Sequence, residues 1–307
     1  MATTTPTVFV CGITGTQGGA LARQLLALNW TIHSTVRSLD TPAAQKLKAD
    51  GVKLTLGDYD DEAALKTALA GCTKLFLNMS PDIANIANEF TRGQRVLTLA
   101  KAAGITQVVY SGSVFADAPE RVRAVPKDSI LIAMMRGKTK IEASVAAGGF
   151  ESYTLLRPCN FMANFVLPKA RMYNGLVDQR RWVLAMKPTT QLPLIDVVDI
   201  AKFVAAAFRD PERFRGAGIV LASETKTPEE IVAALSAAAG KEIQTSYMSE
   251  AEIDAKKALD PSIMAQASMD DIAREFSKDK VLTWGVPMNS FEDFLGREKM
   301  AVQESYP

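Results

Sequence analysis

The sequence has little of what metal enzymes and nucleic-acid-binding proteins use. Its 307 residues include one histidine, and 35 lysines and arginines are balanced by 34 aspartates and glutamates. With a single histidine, the chain has almost none of the side chains needed for Ser-His-Asp catalysis or for a histidine metal site. His33 lies in a predicted strand, and we interpret it as a structural side chain. A net charge of +1 gives no field that favours nucleic acid or an anionic membrane. We therefore expect no metal, no direct nucleic-acid partner and no membrane partner.

Cysteines and long apolar runs are scarce as well. Cys11, Cys72 and Cys159 are scattered, odd in number and form no CxxC motif. This usage suits a reducing cytosol better than a disulfide framework or a zinc site. No run approaches the roughly 18 apolar residues of a membrane span, and the first ten residues lack the basic and apolar segments of a secretion signal. We predict a cytoplasmic protein.

The first half of the chain alternates short apolar strands with helical patterns. Strands are predicted at residues 7–11, 31–36, 52–56, 74–78, 107–111 and 152–156. Helices are predicted at residues 18–29, 42–50, 61–70, 85–103 and 128–147. Alternation at this spacing is typical of βαβ units, and nearly continuous apolar strands fit a parallel sheet covered on both faces. The pattern predicts an α/β fold with a doubly wound parallel sheet.

The pattern changes after Arg157 and Pro158. Residues 158–195 lack long periodic segments, whereas a helix at 228–239 has Thr227 as its cap and Pro228 at its first position. A helix at 197–208 and a strand near 218–222 complete the prediction, and the C-terminal third is mostly helical in pattern. We expect a nucleotide-binding domain of residues 1–157 plus helix 197–210. A smaller, mostly helical substrate lobe would comprise residues 158–195 and 212–307.

A glycine-rich turn follows the first predicted strand in "FVCGITGTQGGALARQLL", residues 9–26. Strand, glycine turn and helix form the context of a dinucleotide-binding fingerprint, here spaced Gly12-x-x-Gly15-x-x-Gly18. One glycine makes the tight turn, one lets backbone N–H groups approach a pyrophosphate, and one permits close packing of helix on strand. The helix that opens near Gln17 would direct its positive end at the phosphates. The alternative is a turn that merely tolerates glycine.

The ends of the next two strands indicate which dinucleotide binds. NAD-preferring sites place an acidic residue after the second strand, but "TVRSLD" offers Arg37 and Ser38, which suit a 2′-phosphate. We predict NADP(H), with a solvated Arg37 as the alternative. Asp58 in "LGDYDD" has two interpretations: an acceptor for the adenine amino group, or the N-cap of the helix predicted at 61–70.

Several segments together resemble the NmrA-like branch of the atypical short-chain dehydrogenase/reductases. They are "GITGTQGGALARQLL", "VRS", "LGDYDD", "VVYSGSV", "GKTKIEASV", "YTLLRPCNFMANF" and "PLIDVVDIAKFVAAAF". The resemblance implies a Rossmann-type domain, NADP(H) binding and a small C-terminal substrate lobe. The family includes reductases and also NADP-sensing regulators that bind other proteins. The residues that match its cofactor site are Gly12, Thr14, Gly15, Gln17, Gly18, Arg37, Asn78, Lys138 and Asn160.

Whether chemistry occurs depends on one helical turn. Short-chain dehydrogenases use Tyr-x-x-x-Lys, in which tyrosine donates a proton and lysine lowers its pKa. Here Met134 stands where that tyrosine would be, and Lys138 is retained. Lys138 would hold the nicotinamide ribose and could serve as the acid, or it could be a snorkelling or salt-bridged lysine, with Glu142 four residues later. Ser113 matches the catalytic serine position, or serves a turn.

Two functions fit these residues. The first is an NADPH-dependent reductase of a hydrophobic carbonyl, enone or quinone, with Lys138 and Ser113 as catalytic residues. The second is a non-catalytic NADP(H)-sensing regulator that binds a protein partner. We favour the enzyme slightly, and a homodimer is one assembly open to it. Phe161, Phe165 and Met172 would line an apolar substrate pocket or belong to the core.

Overall fold

The computed structural model describes residues 5–256 and 260–307. Residues 1–4 of the predicted nucleotide-binding domain and residues 257–259 of the predicted lobe lie outside the described part. The chain forms two compact units. The first unit comprises the described residues up to Asp117, Arg136–Arg157 and Ile200–Ile219. The second unit comprises Ala118–Met135, Pro158–Asp199 and the described residues from Val220 onward. Residues 118–135 thus belong to the second unit and residues 212–219 to the first, which differs from the expected boundaries.

The first half of the chain alternates strands and helices as its periodicity predicts. The strands are β1 (Thr7–Val10), β2 (Thr31–Val36), β3 (Lys53–Leu56), β4 (Lys74–Leu77), β5 (Gln107–Ser111) and β6 (Ser152–Pro158). The helices are α1 (Thr16–Ala27), α2 (Pro42–Ala49), α3 (Glu62–Leu69), α4 (Ala87–Ala102) and α5 (Ile130–Ala147). Each predicted element is present, and its bounds differ by no more than a few residues.

The second half contains more strands than its pattern predicts. The strands are β7 (Asn160–Phe161), β8 (Arg181–Leu184), β9 (Leu192–Ile195), β10 (Ala217–Leu221), β11 (Glu224–Lys226) and β12 (Gln244–Tyr247). The helices are α6 (Val197–Arg209), α7 (Pro211–Phe214), α8 (Pro228–Ala239), α9 (Glu250–Lys256), α10 (Pro261–Ala267), α11 (Met269–Glu275), α12 (Lys278–Leu282), α13 (Phe291–Arg297) and α14 (Lys299–Ser305). None of the helices in the described ranges is long and apolar enough to span a membrane.

The central sheet has seven strands in the order β10-β6-β5-β4-β1-β2-β3. All the pairings among β1 to β6 are parallel. The strand order reverses between β1 and β4, and in such sheets ligands bind in the crevice outside the carboxyl ends of the strands at that point. The predicted α/β, Rossmann-type doubly wound sheet is therefore confirmed. Its core contains the fully buried Phe9, Leu65, Leu75 and Val96.

Two small sheets and a helical C-terminal region make up much of the second unit. Strand β9 lies between β11 and β7, and β12 pairs with β8 in parallel. Aromatic side chains fill the core, where the Phe165 ring lies edge-on to Trp182 with centroids 5.5 Å apart. Helix α8 begins as predicted: Thr227 and Glu230 form a reciprocal capping box and Pro228 occupies the first turn.

Candidate cofactor and active site

The glycine turn connects β1 to α1 as the fingerprint requires. Gly12 has φ +64°, a left-handed conformation that glycine adopts without strain, and its carbonyl accepts a 2.9 Å hydrogen bond from the Gly15 N–H. A Cβ atom at Gly18 would lie 2.6 Å from the Gly12 carbonyl carbon and 2.7 Å from the Ile13 Cα. Gly12 thus makes the turn, and Gly18 lets α1 pack against it.

The start of α1 has the properties of an anion site. Thr14, Gly15 and Thr16 are exposed, the N-cap Gly15 has no side chain that could cap the helix, and the first turn contains no acidic residue. The first amides of a helix have no intrahelical acceptor and carry partial positive charge. Residues 12–18, here called the phosphate loop, therefore fit a pyrophosphate.

Gln17 connects the phosphate loop to the ends of β4 and β5. The Ser111 hydroxyl donates a 2.7 Å hydrogen bond to Gln17 Oε1, and Gln17 Nε2 donates a 3.4 Å bond to Asn78 Oδ1. Asn78 follows β4 and Ser111 ends β5, so these bonds gather three polar side chains at the carboxyl edge of the sheet. The structure brings together the predicted Gln17 and Asn78. Ser111 was missed, although its place at the end of β5 is the signal that could have identified it.

Tyr59 supports the phosphate loop, and sequence reasoning missed it as well. The Gly12 N–H donates a 2.6 Å hydrogen bond to the Tyr59 hydroxyl. Burial raises the pKa of Tyr59 well above its usual value, while the positive charge of Arg37 acts in the opposite direction. Arg37 itself is exposed. Its charge is therefore close enough to act on a side chain that contacts the loop, and it remains open to solvent.

Ser38 and Asp58 each bind backbone amides in their own turns. Ser38 Oγ accepts a 3.2 Å hydrogen bond from the N–H two residues later, so its hydroxyl hydrogen is left to donate. Asp58 Oδ1 accepts from the N–H groups two and three residues later, at 2.8 and 3.2 Å. The N-cap of α3 is Asp61, which accepts from the Ala64 N–H at 2.9 Å. The alternative that Asp58 caps this helix is therefore wrong, because the N-cap lies three residues further on.

Lys138 lies buried on α5 with a partner that the sequence does not indicate. Its Nζ is 2.5 Å from Glu89 Oε1, and the two residues are 9% and 2% exposed. Glu142, the partner expected from helical spacing, instead binds Arg157, with oxygen–nitrogen distances of 3.0 and 2.7 Å. The alternative of an ion pair between Lys138 and Glu142 within α5 is wrong as to the partner: Lys138 is salt-bridged to Glu89 on α4.

Two hydroxyls on and after β5 have no hydrogen-bond partner in the described part of the chain. They are the buried Oγ of Ser113 and the buried hydroxyl of Tyr110. Burial, and then the negative charges of Glu89 and Glu142, raise the pKa of Tyr110 well above its usual value, so its hydroxyl stays protonated. A Cβ on Gly112 would lie 3.4 Å from Glu142 Oε1, which places α5 beside the loop containing Ser113.

The remaining predicted residues lie in the second unit. Asn160 Nδ2 donates to the Pro193 carbonyl at 3.3 Å and contacts the Met269 sulfur at 3.2 Å. Phe165 is fully buried in the aromatic core, whereas Met172 is 51% exposed. The core interpretation is correct for Phe165, which is therefore not a pocket wall. Asn160 as a cofactor residue stays a prediction.

The comparisons with known proteins agree on one family. The model of the NmrA-like family matches residues 4–292. The NmrA-like family domain-containing oxidoreductase himF of Aspergillus japonicus is 27% identical over 223 residues, which are 67% of this chain and 65% of that protein. The chain thus spans just under two thirds of that relative. An NAD(P)H azoreductase of Xenophilus azovorans is 27% identical over 237 residues, covering 77% of this chain and 75% of the relative.

A solved structure has the same fold over the whole length. NmrA, a negative transcriptional regulator crystallised in complex with NADP, matches with a TM-score of 0.77. The match covers 98% of each chain at 20% sequence identity. At this identity the likeness establishes the fold.

Proposed function

This chain belongs to the NmrA-like family, and from that membership we propose that it is an NADPH-dependent reductase of a hydrophobic carbonyl, enone or quinone. The observation that carries the proposal is the buried Lys138 ammonium on α5. Near Glu142 this helix lies beside the loop after β5, where the Ser113 hydroxyl has no hydrogen-bond partner among the described residues. Catalytic groups are commonly buried polar side chains at the carboxyl edge of such sheets. The relatives described above as an oxidoreductase and an azoreductase support a redox reaction.

We assign the cofactor to the first unit. Its pyrophosphate would bind the phosphate loop through Gly12, Thr14, Gly15, Gln17 and Gly18. The exposed Arg37 and the Ser38 hydroxyl would bind the 2′-phosphate, and Oδ2 of Asp58 would accept from the adenine amino group. Asn78 and Lys138 would serve the nicotinamide end. The fit rests on the uncapped start of α1 and on the exposed arginine where NAD-specific sites place an acid.

The side chains at the nicotinamide end have separable roles. A bound NADPH supplies a hydride to the acceptor. Lys138 uses one N–H on Glu89 and has two more, which can bond the ribose hydroxyls and deliver a proton. The Ser113 hydroxyl, without a partner among the described residues, can donate to the acceptor oxygen and polarise it. The second unit would then recognise the substrate, in a protein of the cytoplasm.

A second function is favoured by Met134. The residue four positions before Lys138 cannot donate a proton, and the structural relative NmrA is a transcriptional regulator. In this alternative the chain binds NADP(H) without turnover, and the redox ratio changes its affinity for a protein partner.

NADPH oxidation distinguishes the two functions. The purified protein would be assayed by loss of reduced-nicotinamide absorbance against quinones, enones, aryl ketones and azo compounds. We expect turnover with at least one hydrophobic acceptor and a loss of turnover in Lys138→Ala. Tight NADPH binding with no turnover on any acceptor would reject the reductase and leave the regulator.

Cofactor preference tests the 2′-phosphate assignment separately. Arg37→Ala should weaken NADPH binding by about tenfold or more while leaving NADH binding nearly unchanged, because only NADPH has the phosphate. Arg23→Ala is the matched control, since it removes an exposed arginine from α1 without touching the end of β2. An unchanged NADPH-to-NADH affinity ratio in Arg37→Ala would show the assignment to be wrong.

A further inference from the structure

Glu89 is the one acidic side chain that contacts Lys138 in the described part of the chain, and neither composition nor spacing indicated it. It lies in the first turn of α4, 49 residues before its partner, and is 2% exposed. Its Oε1 is 2.5 Å from Lys138 Nζ, whereas its Oε2 is buried and has no hydrogen-bond partner among residues 5–256 and 260–307. A buried carboxylate with one charged partner depends on that partner to offset its desolvation.

Close packing of α4 against α5 brings the two side chains together. Gly93 lies one turn after Glu89 on α4, and a Cβ there would be 3.3 Å from Ile141 Cδ1 and 3.6 Å from Met79 Cγ. Ile141 in turn lies three residues after Lys138, on the same stripe of α5. The absence of a side chain at Gly93 therefore allows the approach that places Glu89 against Lys138.

We propose that Glu89 is the positioning residue of this site: its carboxylate fixes the Lys138 ammonium beside the loop after β5, in the orientation that binds the nicotinamide ribose. The inference rests on the proposed function for the identity of the ligand. A lysine has a long, flexible side chain, and an ion pair with a rigid, buried partner removes the rotamer freedom that ligand binding would otherwise have to remove. Glu89 acts through Lys138 and does not touch the substrate.

Three variants and NADPH titration calorimetry test this role. Glu89→Gln keeps the size of the side chain and removes its charge, and we expect the NADPH dissociation constant to rise about tenfold. Lys138→Met should have a similar or larger effect. The double variant should bind NADPH no more weakly than Lys138→Met alone, because both substitutions remove the same positioned ammonium.

A matched control separates positioning from packing. Glu142 lies one turn after Lys138 on α5, and its buried carboxylate binds Arg157. The variant Glu142→Gln removes the charge of that carboxylate. It should lower the free energy of unfolding yet keep the NADPH dissociation constant within about twofold of wild type. Glu89→Asp retains the charge and is the fallback if the glutamine variant does not fold. It should bind NADPH more weakly than wild type but more tightly than Lys138→Met.

The outcomes separate this inference from the proposed function. Wild-type NADPH affinity in Glu89→Gln, or effects of Glu89→Gln and Lys138→Met that multiply in the double variant, would overturn the positioning role. A protein that binds NADPH but reduces no acceptor would end the reductase proposal. In that case the NADPH dissociation constants of the single and double variants would still test the role of Glu89.

Discussion

Gly18 offers a test of the phosphate loop whose size can be worked out from the structure. In Gly18→Ala the new Cβ would lie 2.6 Å from the Gly12 carbonyl carbon and 2.7 Å from the Ile13 Cα. Non-bonded carbons pack at about 3.5–4.0 Å, so the turn and α1 must separate by roughly 1 Å. Both neighbours are backbone atoms, which cannot rotate away as a side chain would.

The separation should affect stability and binding together. Overpacking of this kind costs typically about 1–3 kcal/mol of unfolding free energy. A shift of roughly 1 Å also moves loop amides out of hydrogen-bonding range of a phosphate, which requires about 2.7–3.2 Å. Loss of one charge-assisted bond, worth roughly 1.5–3 kcal/mol, weakens NADPH binding by about tenfold to a hundredfold.

The adjacent glycine provides the control. At Gly19 a Cβ would lie 3.5 Å from the Ile13 carbonyl oxygen, an ordinary contact, and the residue is inside α1. Gly19→Ala should therefore be more stable than wild type by about 0.5–1 kcal/mol and should retain NADPH affinity. Urea unfolding and calorimetric titration of both variants measure the contrast. If Gly18→Ala equals wild type in both assays, the close-packing argument is refuted.

Other side chains give further predictions. Burial lowers the pKa of Lys74 from 10.5 to about 8, so between these pH values the unfolded chain binds more protons than the folded chain. The unfolding free energy should therefore rise with pH over this range, by about 1 kcal/mol when partial exposure is allowed for. The rise should be seen in wild type but not in Lys74→Met. Urea unfolding at the lower and the upper end of this pH range measures the change, and a fall in unfolding free energy with rising pH would contradict the prediction. Thr227→Ala removes half of a capping box and should cost about 1 kcal/mol by the same assay, and an unchanged midpoint would contradict it. Arg297→Met removes the charged partner of the fully buried Asp196 carboxylate, which Arg297 binds at 2.7 and 3.0 Å, and should cost about 3–5 kcal/mol of unfolding free energy. A loss below about 1 kcal/mol would show that the hydrogen bonds from the Asn289 amide and the Val198 N–H suffice.

Local patterns account for the parts of the fold that were predicted. The apolar runs of β2 and β5 and the Thr227–Pro228 start of α8 carry their signals within a few residues, and their observed bounds agree with the predictions. Strands β8 and β12 were not predicted. Each has only four residues, and each becomes a strand by pairing with a partner about sixty residues away. Pairing over that distance leaves no local periodicity.

The site shows the same division between local and distant information. The turn of the phosphate loop follows from its glycines, and the absence of tyrosine before Lys138 is visible in one turn of helix. The partner of Lys138 is a different matter. Helical spacing favours Glu142, but the close approach of α4 at Gly93 brings Glu89 nearer. Tyr59 likewise reaches Gly12 across 47 residues, and no local signal marks it.

Transfer of a labelled hydride tests the central proposal most directly. NADPH carrying deuterium at both C4 positions of the reduced ring would be incubated with the protein and a hydrophobic enone or quinone, and the product examined by mass spectrometry. The reductase account predicts deuterium in the enone product, or stoichiometric oxidation of NADPH with quinol formation where the label exchanges. Labelled NADPH that binds to the phosphate loop and remains unconsumed with every acceptor would contradict it.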